Sequence, residues 1–115
     1  MRISGVETYL LGIPLPRVQR RAFGDFGQVN HLLVRVTTDE GLVGVGEVAA
    51  CGGPTWSPEC VEAAQVVVVR YLAPGLVGQD PLQLAALVAW MDRVVRGNHF
   101  AKAAIEIALW DVVGQ

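Results

Sequence analysis

The chain has 115 residues, of which 52% are hydrophobic and 17% charged, and its formal net charge is −2. This length predicts one domain with its own core, and the slight acidity argues against nucleic-acid binding, which needs a basic surface. No apolar run reaches the ~18 residues that span a bilayer, and the N-terminal residues do not follow the order of a signal peptide. Cys51 and Cys60 form no C-x-x-C pair, so we expect two reduced thiols in a cytoplasmic protein.

Three strands are predicted in the first half of the chain. Residues 3–15 are apolar with single polar interruptions and end among prolines, and residues 31–38 are rich in Leu, Val and Thr. Residues 42–50 have the same character. The sequence D-E-G before them predicts a short turn in which Gly41 takes a positive φ. The second and third strands should therefore form an antiparallel hairpin.

The second half predicts helices, which we locate by their caps. Ser57 is placed to cap a first helix that ends near Leu72, because the sequence A-P-G follows. Its four consecutive valines also fit a strand, but the length and the caps favour a helix. Asp80 predicts the cap of a second helix, with Gln83 completing a capping box and Gly97 stopping the helix. The predicted class is α+β, a three-stranded antiparallel sheet followed by a three-helix bundle.

The last helix, which Asn98 is predicted to cap, is apolar on two sides. One stripe is Ala101, Ala104, Ile105, Ala108, Leu109 and Val112, and the second is Phe100, Ala103, Ile107, Trp110 and Gly114. Lys102 and Glu106 lie one turn apart, so we expect an exposed ion pair rather than a catalytic base at Lys102. A chain of this length can cover one apolar side of the helix easily, but not both sides together with the rest of a core. We therefore expect the domain to lie against something larger.

Two segments are predicted to lie outside regular structure, residues 17–30 and residues 51–56. Both leave the same end of the sheet if the first and third strands are parallel to each other and antiparallel to the second. Loops carry function more often than strands do, so this end is the predicted functional region. The basic cluster of the chain is Arg17, Arg20 and Arg21. It fits a solvated loop, a phosphate or nucleic-acid site, or a contact with a substrate carboxylate.

Other polar residues receive structural interpretations. His31, His99, Glu47 and Asp111 do not have the i, i+3 or i, i+4 spacing of metal ligands, and for the two histidines we expect ordinary hydrogen-bonding roles. The G-V-G that precedes Glu47 is not followed by a helix N-terminus and so does not predict a phosphate site. These glycines are expected to allow close packing on the sheet.

Two motifs resemble a known family. V-R-V-T-T-D-E-G-L-V-G-V-G-E (residues 34–47) and A-K-A-A-I-E-I-A-L-W-D-V-V-G (residues 101–114) resemble the N-terminal capping domain of the enolase superfamily. The group they resemble contains mandelate racemase and muconate lactonising enzyme. Residues 52–59, 73–83 and 97–105 also resemble the proline-betaine epimerase and hydroxyproline dehydratase or epimerase members.

The resemblance implies a Mg²⁺-dependent enzyme that abstracts the proton next to a carboxylate. In the family the metal ligands and acid–base residues lie on a (β/α)₈ barrel of ~250 residues that follows the capping domain. We expect residues 1–115 to be the capping domain without that barrel, with no catalytic or metal-binding residue and no activity alone. The implied partners are the barrel, a small carboxylate substrate and further copies of the enzyme in a homo-oligomer.

The candidate substrate-binding residues are Phe23, Phe26 and Trp56. In the resembled family the loops after the first and third strands shape the substrate cavity and exclude water. Trp56 matches a position where betaine-type members have an aromatic residue, whose face would stabilise a bound ammonium by ~0.5–2 kcal/mol. The resemblance thus favours a proline-type amino acid or betaine. These aromatic residues could instead cover the domain's own core, and the whole chain could be a non-catalytic interaction or oligomerisation domain.

Overall fold

The computed structural model describes residues 1–21, 24–50, 53–55 and 57–115. Strands β1 (Ile3–Arg21), β2 (Gly24–Thr38) and β3 (Val43–Ala50) form an antiparallel sheet in the order β1-β2-β3. The helical segments that follow are α1 (Val61–Val66), a π-helical turn (Val67–Leu72), α2 (Ala73–Leu76), α3 (Leu84–Val94) and α4 (His99–Val113). The predicted α+β class, with three antiparallel strands before the helices, is confirmed.

The first two strands are longer than predicted. Residues 17–21 and 24–30 were expected to be irregular, but they continue the hairpin, with Gln19 opposite Phe26 and Arg21 opposite Gly24. The pairing register shifts between Pro14 and Gln19, where the proline-containing segment interrupts the ladder. Because β1 is an edge strand, its prolines do not remove a hydrogen bond from a second neighbour.

The hairpin between β2 and β3 forms at the predicted turn. Gly41 has a φ of +84° and its N–H donates to the carbonyl of Thr38 at 3.1 Å. The Thr38 hydroxyl accepts the N–H of Leu42 at 3.1 Å, and Thr38 is only 5% exposed. Its buried polar atom is therefore satisfied within the turn.

The predicted boundaries of the first helix were wrong at both ends. Cys60, not Ser57, is the N-cap residue, and the Ser57 hydroxyl accepts the N–H of Glu59 at 3.2 Å in a turn before the helix. The helix also continues past residue 72. Ala73 donates to the carbonyl of Val68 five residues back, which is π-helical geometry, and Pro74 lies in the first turn of the short α2, where a missing N–H is tolerated.

Of the two other predicted N-caps, the one at Asp80 was wrong and the one at Asn98 is confirmed in position only. The Asp80 carboxylate accepts the N–H of Leu82 at 2.9 Å, so it closes a turn and α3 begins only at Leu84, without a capping box. Asn98 occupies the predicted N-cap position of α4, with a φ of +54°. Its side chain donates instead to the carbonyl of Arg96 at 2.9 Å, so it does not cap the helix.

The core lies between one face of the sheet and the helices. Its fully buried members include Leu32, Val34 and Val36 of β2 and Ala104, Ile105, Ala108 and Leu109 of α4. Gly44 and Gly46 of β3 face α4, and a Cβ at either position would overlap the carbonyl oxygens of Ala108 and Ala104, respectively. The expectation that these glycines allow close packing is confirmed. No helix in the described ranges is both long and apolar enough to cross a membrane.

Candidate functional site at one end of the sheet

The register brings the two predicted functional segments to one end of the sheet. Gly12 of β1 lies opposite Asn30 of β2, which lies opposite Ala50, the last residue of β3. The β1–β2 hairpin therefore continues beyond the same end of the sheet at which β3 ends at Ala50. This is the arrangement that the sequence analysis expected, although much of the first segment is strand rather than loop.

Of the three candidate substrate-binding residues, the structure describes only the backbone of Phe26. Phe23 and Trp56 lie outside the described residues. The backbone of Phe26 pairs with Gln19 in the extended hairpin, and its side chain is likewise outside the description. Their substrate-binding role stays a prediction. Of the basic cluster, Arg17 is exposed on β1, and the backbone of Arg20 pairs with Asp25.

His31 and Glu47 form a polar contact beside this end of the sheet. His31 Nδ1 lies 3.2 Å from Glu47 Oε2, and the two side chains project from the face of the sheet opposite the helices. The imidazole is the more enclosed partner, with 19% of its side chain exposed against 56% for the carboxylate. This matches the hydrogen-bonding role predicted for His31. The contact joins β2 to β3 close to the point where the chain leaves β3.

The segment after β3 is attached to the first turn of α4. Thr55 donates its N–H to the carbonyl of Gly53 at 2.9 Å, a tight turn around Pro54, and Gly53 has a φ of +83°. Further along, Glu59 Oε1 accepts the N–H of Phe100 at 2.8 Å. Sequence reasoning missed this contact because it joins residues that are 41 positions apart in the chain.

Small hollows flank this end of the described surface. One of about 120 Å³ is lined by Glu47, Val48, Ala49, Phe100 and Ala103. Another of about 140 Å³ is lined by Leu10, Leu11, Gly12, Asn30, Val61 and Glu62. Both are smaller than the ~300 Å³ at which small-molecule pockets usually begin. Neither of these two hollows therefore encloses a small molecule by itself.

The described residues do not include a candidate metal site. Within residues 1–21, 24–50, 53–55 and 57–115, no group of three or more His, Cys, Asp or Glu side chains is arranged to hold a metal ion. The Mg²⁺ implied by the resemblance therefore has no ligand set among these residues.

Lys102 does not form the exposed pair that the sequence predicted. It is only 8% exposed, and its Nζ lies 3.0 Å from Asp92 Oδ1 of α3. Glu106 instead accepts the indole N–H of Trp110 at 3.4 Å. The lysine stem is buried while its ammonium reaches a carboxylate that is 63% exposed. The predicted pairing with Glu106 was wrong, and Lys102 links two helices of the domain.

Comparison with known proteins identifies the class of domain. Residues 7–115 match the family described as "Mandelate racemase / muconate lactonizing enzyme, N-terminal domain". Because this match covers nearly the whole chain, the chain belongs to that family of N-terminal domains, which the enolase-superfamily resemblance anticipated.

Individual relatives agree with the family assignment. A chloromuconate cycloisomerase of Cupriavidus pinatubonensis is 42% identical over 112 residues, which are 97% of this chain and 30% of the relative. The crystal structure of a muconate lactonizing enzyme from Pseudomonas fluorescens, complexed with muconolactone, superimposes with a TM-score of 0.95 at 31% identity, covering 98% of this chain and 30% of that one. An N-succinyl Arg/Lys racemase from Bacillus cereus gives 0.91 at 30% identity, with 99% and 30% covered. The chain spans about 30% of the length of these relatives.

Proposed function

We propose that this chain is the substrate-capping domain of a Mg²⁺-dependent enzyme that abstracts a proton next to a carboxylate. The observation that carries the proposal is the family match over residues 7–115, together with 42% identity to a cycloisomerase of which the chain covers 30%. A catalytic domain corresponding to the rest of that relative would supply the metal ligands, the acid and the base. The chain alone would then be inactive, and the cytoplasm remains its expected compartment.

In this proposal the chain contributes binding and exclusion of water rather than proton transfer. The β1–β2 hairpin and residues 53–59 would form one wall of a cavity whose other wall is the catalytic domain. Phe23, Phe26 and Trp56 remain the proposed aromatic contacts to the substrate. Closing the cavity removes water and so strengthens the electrostatic interactions that stabilise a charged intermediate.

The proposed substrate class is a small dicarboxylate of the muconate type. The names of the relatives reported above favour it over the proline-type amino acid or betaine that Trp56 suggested. The exposed position of Arg17 on the hairpin also suits a second carboxylate, which a guanidinium can bind through two hydrogen bonds. The alternative is a proline-type amino acid or betaine, and the experiment must distinguish it from the dicarboxylate.

A domain exchange tests the proposal. Residues 1–115 replace the corresponding segment of the Cupriavidus pinatubonensis cycloisomerase, and cycloisomerase activity is measured with Mg²⁺ present. We expect the chimera to convert chloromuconate, whereas the catalytic part of the relative without any N-terminal domain should not. Thermal shifts of the chimera with muconate and with proline betaine compare the two substrate classes. A folded chimera without activity or ligand-induced shift would contradict the capping role.

A second candidate function is a non-catalytic interaction or oligomerisation domain. It is favoured by the exposed side of α4, where Ile107 is 50% and Trp110 57% exposed. Under the capping proposal we expect the catalytic domain to cover this side. Analytical ultracentrifugation of the 115-residue chain separates the two. Tight self-association that Trp110→Ala weakens would favour the interaction domain.

A further inference from the structure

We propose that Glu59 is a positioning residue, whose carboxylate ties residues 57–59 to α4 and thereby fixes the far end of the segment that follows β3, which is one wall of the proposed substrate cavity. The inference rests on the proposed function for its effect on substrate. The anchoring contact itself is a property of this chain alone and can be measured without any catalytic domain.

The contact supplies a cap that α4 lacks from its own N-cap side chain. The first N–H groups of a helix have no partner inside the helix. Asn98 does not satisfy them, because its side chain donates to the carbonyl of Arg96. Glu59 Oε1 accepts the N–H of Phe100, the second residue of α4, at 2.8 Å. A carboxylate at this position is further favoured by the positive end of the helix dipole, and the bond is charge-assisted.

The same glutamate is tied to the segment on its N-terminal side. Its own N–H donates to the Ser57 hydroxyl at 3.2 Å. Before that, the Thr55–Gly53 hydrogen bond closes the turn around Pro54, and Ala50 is held in the sheet opposite Asn30. The described residues next to the segment are therefore tied to the sheet at Ala50 and to α4 at Glu59. Glu59 is the point at which its second end meets the helix.

Losing this anchor should change how the segment is placed without touching a reacting group. Glu59 lies outside the acid–base chemistry that the proposal assigns to the catalytic domain. We therefore expect an effect on substrate binding and selectivity that is larger than the effect on turnover. A glutamine retains a carbonyl oxygen that can accept the Phe100 N–H without charge, so Glu59→Gln should keep part of the anchor that Glu59→Ala removes.

Amide hydrogen exchange of the 115-residue chain tests the anchor directly. We expect Glu59→Ala to accelerate exchange of the Phe100 amide by about tenfold, the factor set by losing a hydrogen bond to a charged group. Residues 53–57 should accelerate with it, and Glu59→Gln should have a smaller effect. The amide of Val34 in the central strand reports global unfolding, whose free energy falls by the same lost contact, so its exchange should accelerate by no more than that factor. Glu40→Ala, an exposed glutamate in the β2–β3 turn, is the control. Unchanged exchange at Phe100, or acceleration at Phe100 without any at residues 53–57, would overturn the proposal.

The chimera described above tests the consequence for substrate. Glu59→Ala should raise KM several-fold while kcat stays nearly constant, with partial rescue by Glu59→Gln and no effect of Glu40→Ala. An active chimera in which Glu59→Ala leaves KM unchanged, or lowers kcat alone, would overturn the positioning role. A chimera that is inactive before any substitution would contradict the proposed function instead, and the exchange experiment would still decide the anchor.

Discussion

The two long sides of α4 are both apolar in sequence but differ in their exposure in the structure. On the side that faces the sheet, Ala101, Ala104, Ile105, Ala108 and Leu109 have no exposed surface. On the other side, Ile107 is 50% and Trp110 57% exposed. The apolar character of a helix side therefore indicates that it needs a cover, but the surface opposite decides whether the same chain provides it.

Two glycines on β3 explain which side is covered. Gly44 and Gly46 have no Cβ, so the backbone of α4 lies directly against the strand at Ala108 and Ala104. The edge of β3 is also tied to the end of the helix, because the Val45 N–H donates to Asp111 at 2.9 Å. No equivalent strand faces Trp110 among the residues that the structure describes. Its side of α4 borders an open apolar groove of about 610 Å³ shared with α3.

The largest effect should come from the covered side. We expect Leu109→Ala to lower the free energy of unfolding by about 2–5 kcal/mol, because it leaves a cavity under a fully buried side chain. Ile107→Ala, two residues away on the exposed side, is the matched control and should cost less than about 1 kcal/mol. Urea unfolding of the 115-residue chain measures both. Equal losses would mean that the two sides are covered alike.

A smaller but still substantial loss is expected at the helix–sheet contact. Gly46→Ala would place a methyl group into the carbonyl of Ala104, so α4 must move away from β3. Overpacking of this kind costs about 1–3 kcal/mol, and we expect the upper end because the obstacle is backbone. Gly114→Ala is the control, since its added Cβ would meet the nearest atom at an ordinary 3.4 Å. The midpoint of chemical unfolding for the two variants compares them, and a harmless Gly46→Ala would contradict the close approach.

The third prediction compares two ion pairs of Lys102, the one with Asp92 that the structure shows and the one with Glu106 that the sequence suggested. Asp92→Ala should destabilise the chain by about 1–2 kcal/mol, because it leaves the largely buried Lys102 without its carboxylate while its ammonium still reaches water. Glu106→Ala should change stability by less than about 0.5 kcal/mol. Thermal unfolding at low and high salt measures both variants. A larger loss of stability for Glu106→Ala than for Asp92→Ala would instead support the predicted pairing of Lys102 with Glu106.

Sequence reasoning succeeded where local chemistry decides the structure. The turn at Gly41 depends on one positive φ, and the packing at Gly44 and Gly46 depends on the absence of a side chain, so each can be predicted from a few neighbouring residues. The α+β class followed from the change in apolar periodicity along the chain, and the family resemblance came from two motifs that the comparisons support.

It failed where contacts between distant residues decide. Lys102 pairs with Asp92 because α3 packs beside α4, which the spacing of charges within one helix cannot reveal. The β1–β2 hairpin continues past Pro14 after a shift in its pairing register. The register depends on how β1 pairs with β2, so the sequence of β1 alone does not reveal it. The cap that Glu59 provides for α4 likewise joins segments 41 residues apart. The candidate aromatic residues Phe23 and Trp56 remain predictions, since they lie outside the described residues.

The smallest effect on the chain itself is expected at Trp110, where the contrast between the two sides of α4 can be tested most sharply. Trp110→Ala should change the unfolding free energy of the 115-residue chain by no more than about 0.5 kcal/mol, because the indole is mostly exposed. In the chimera with a catalytic domain the same substitution should lower the melting temperature, since the indole would be buried between the domains there. Equal shifts in the chain and in the chimera would show that the exposed side of α4 does not meet the catalytic domain. A loss confined to the chimera would identify that side as the one that the larger enzyme covers.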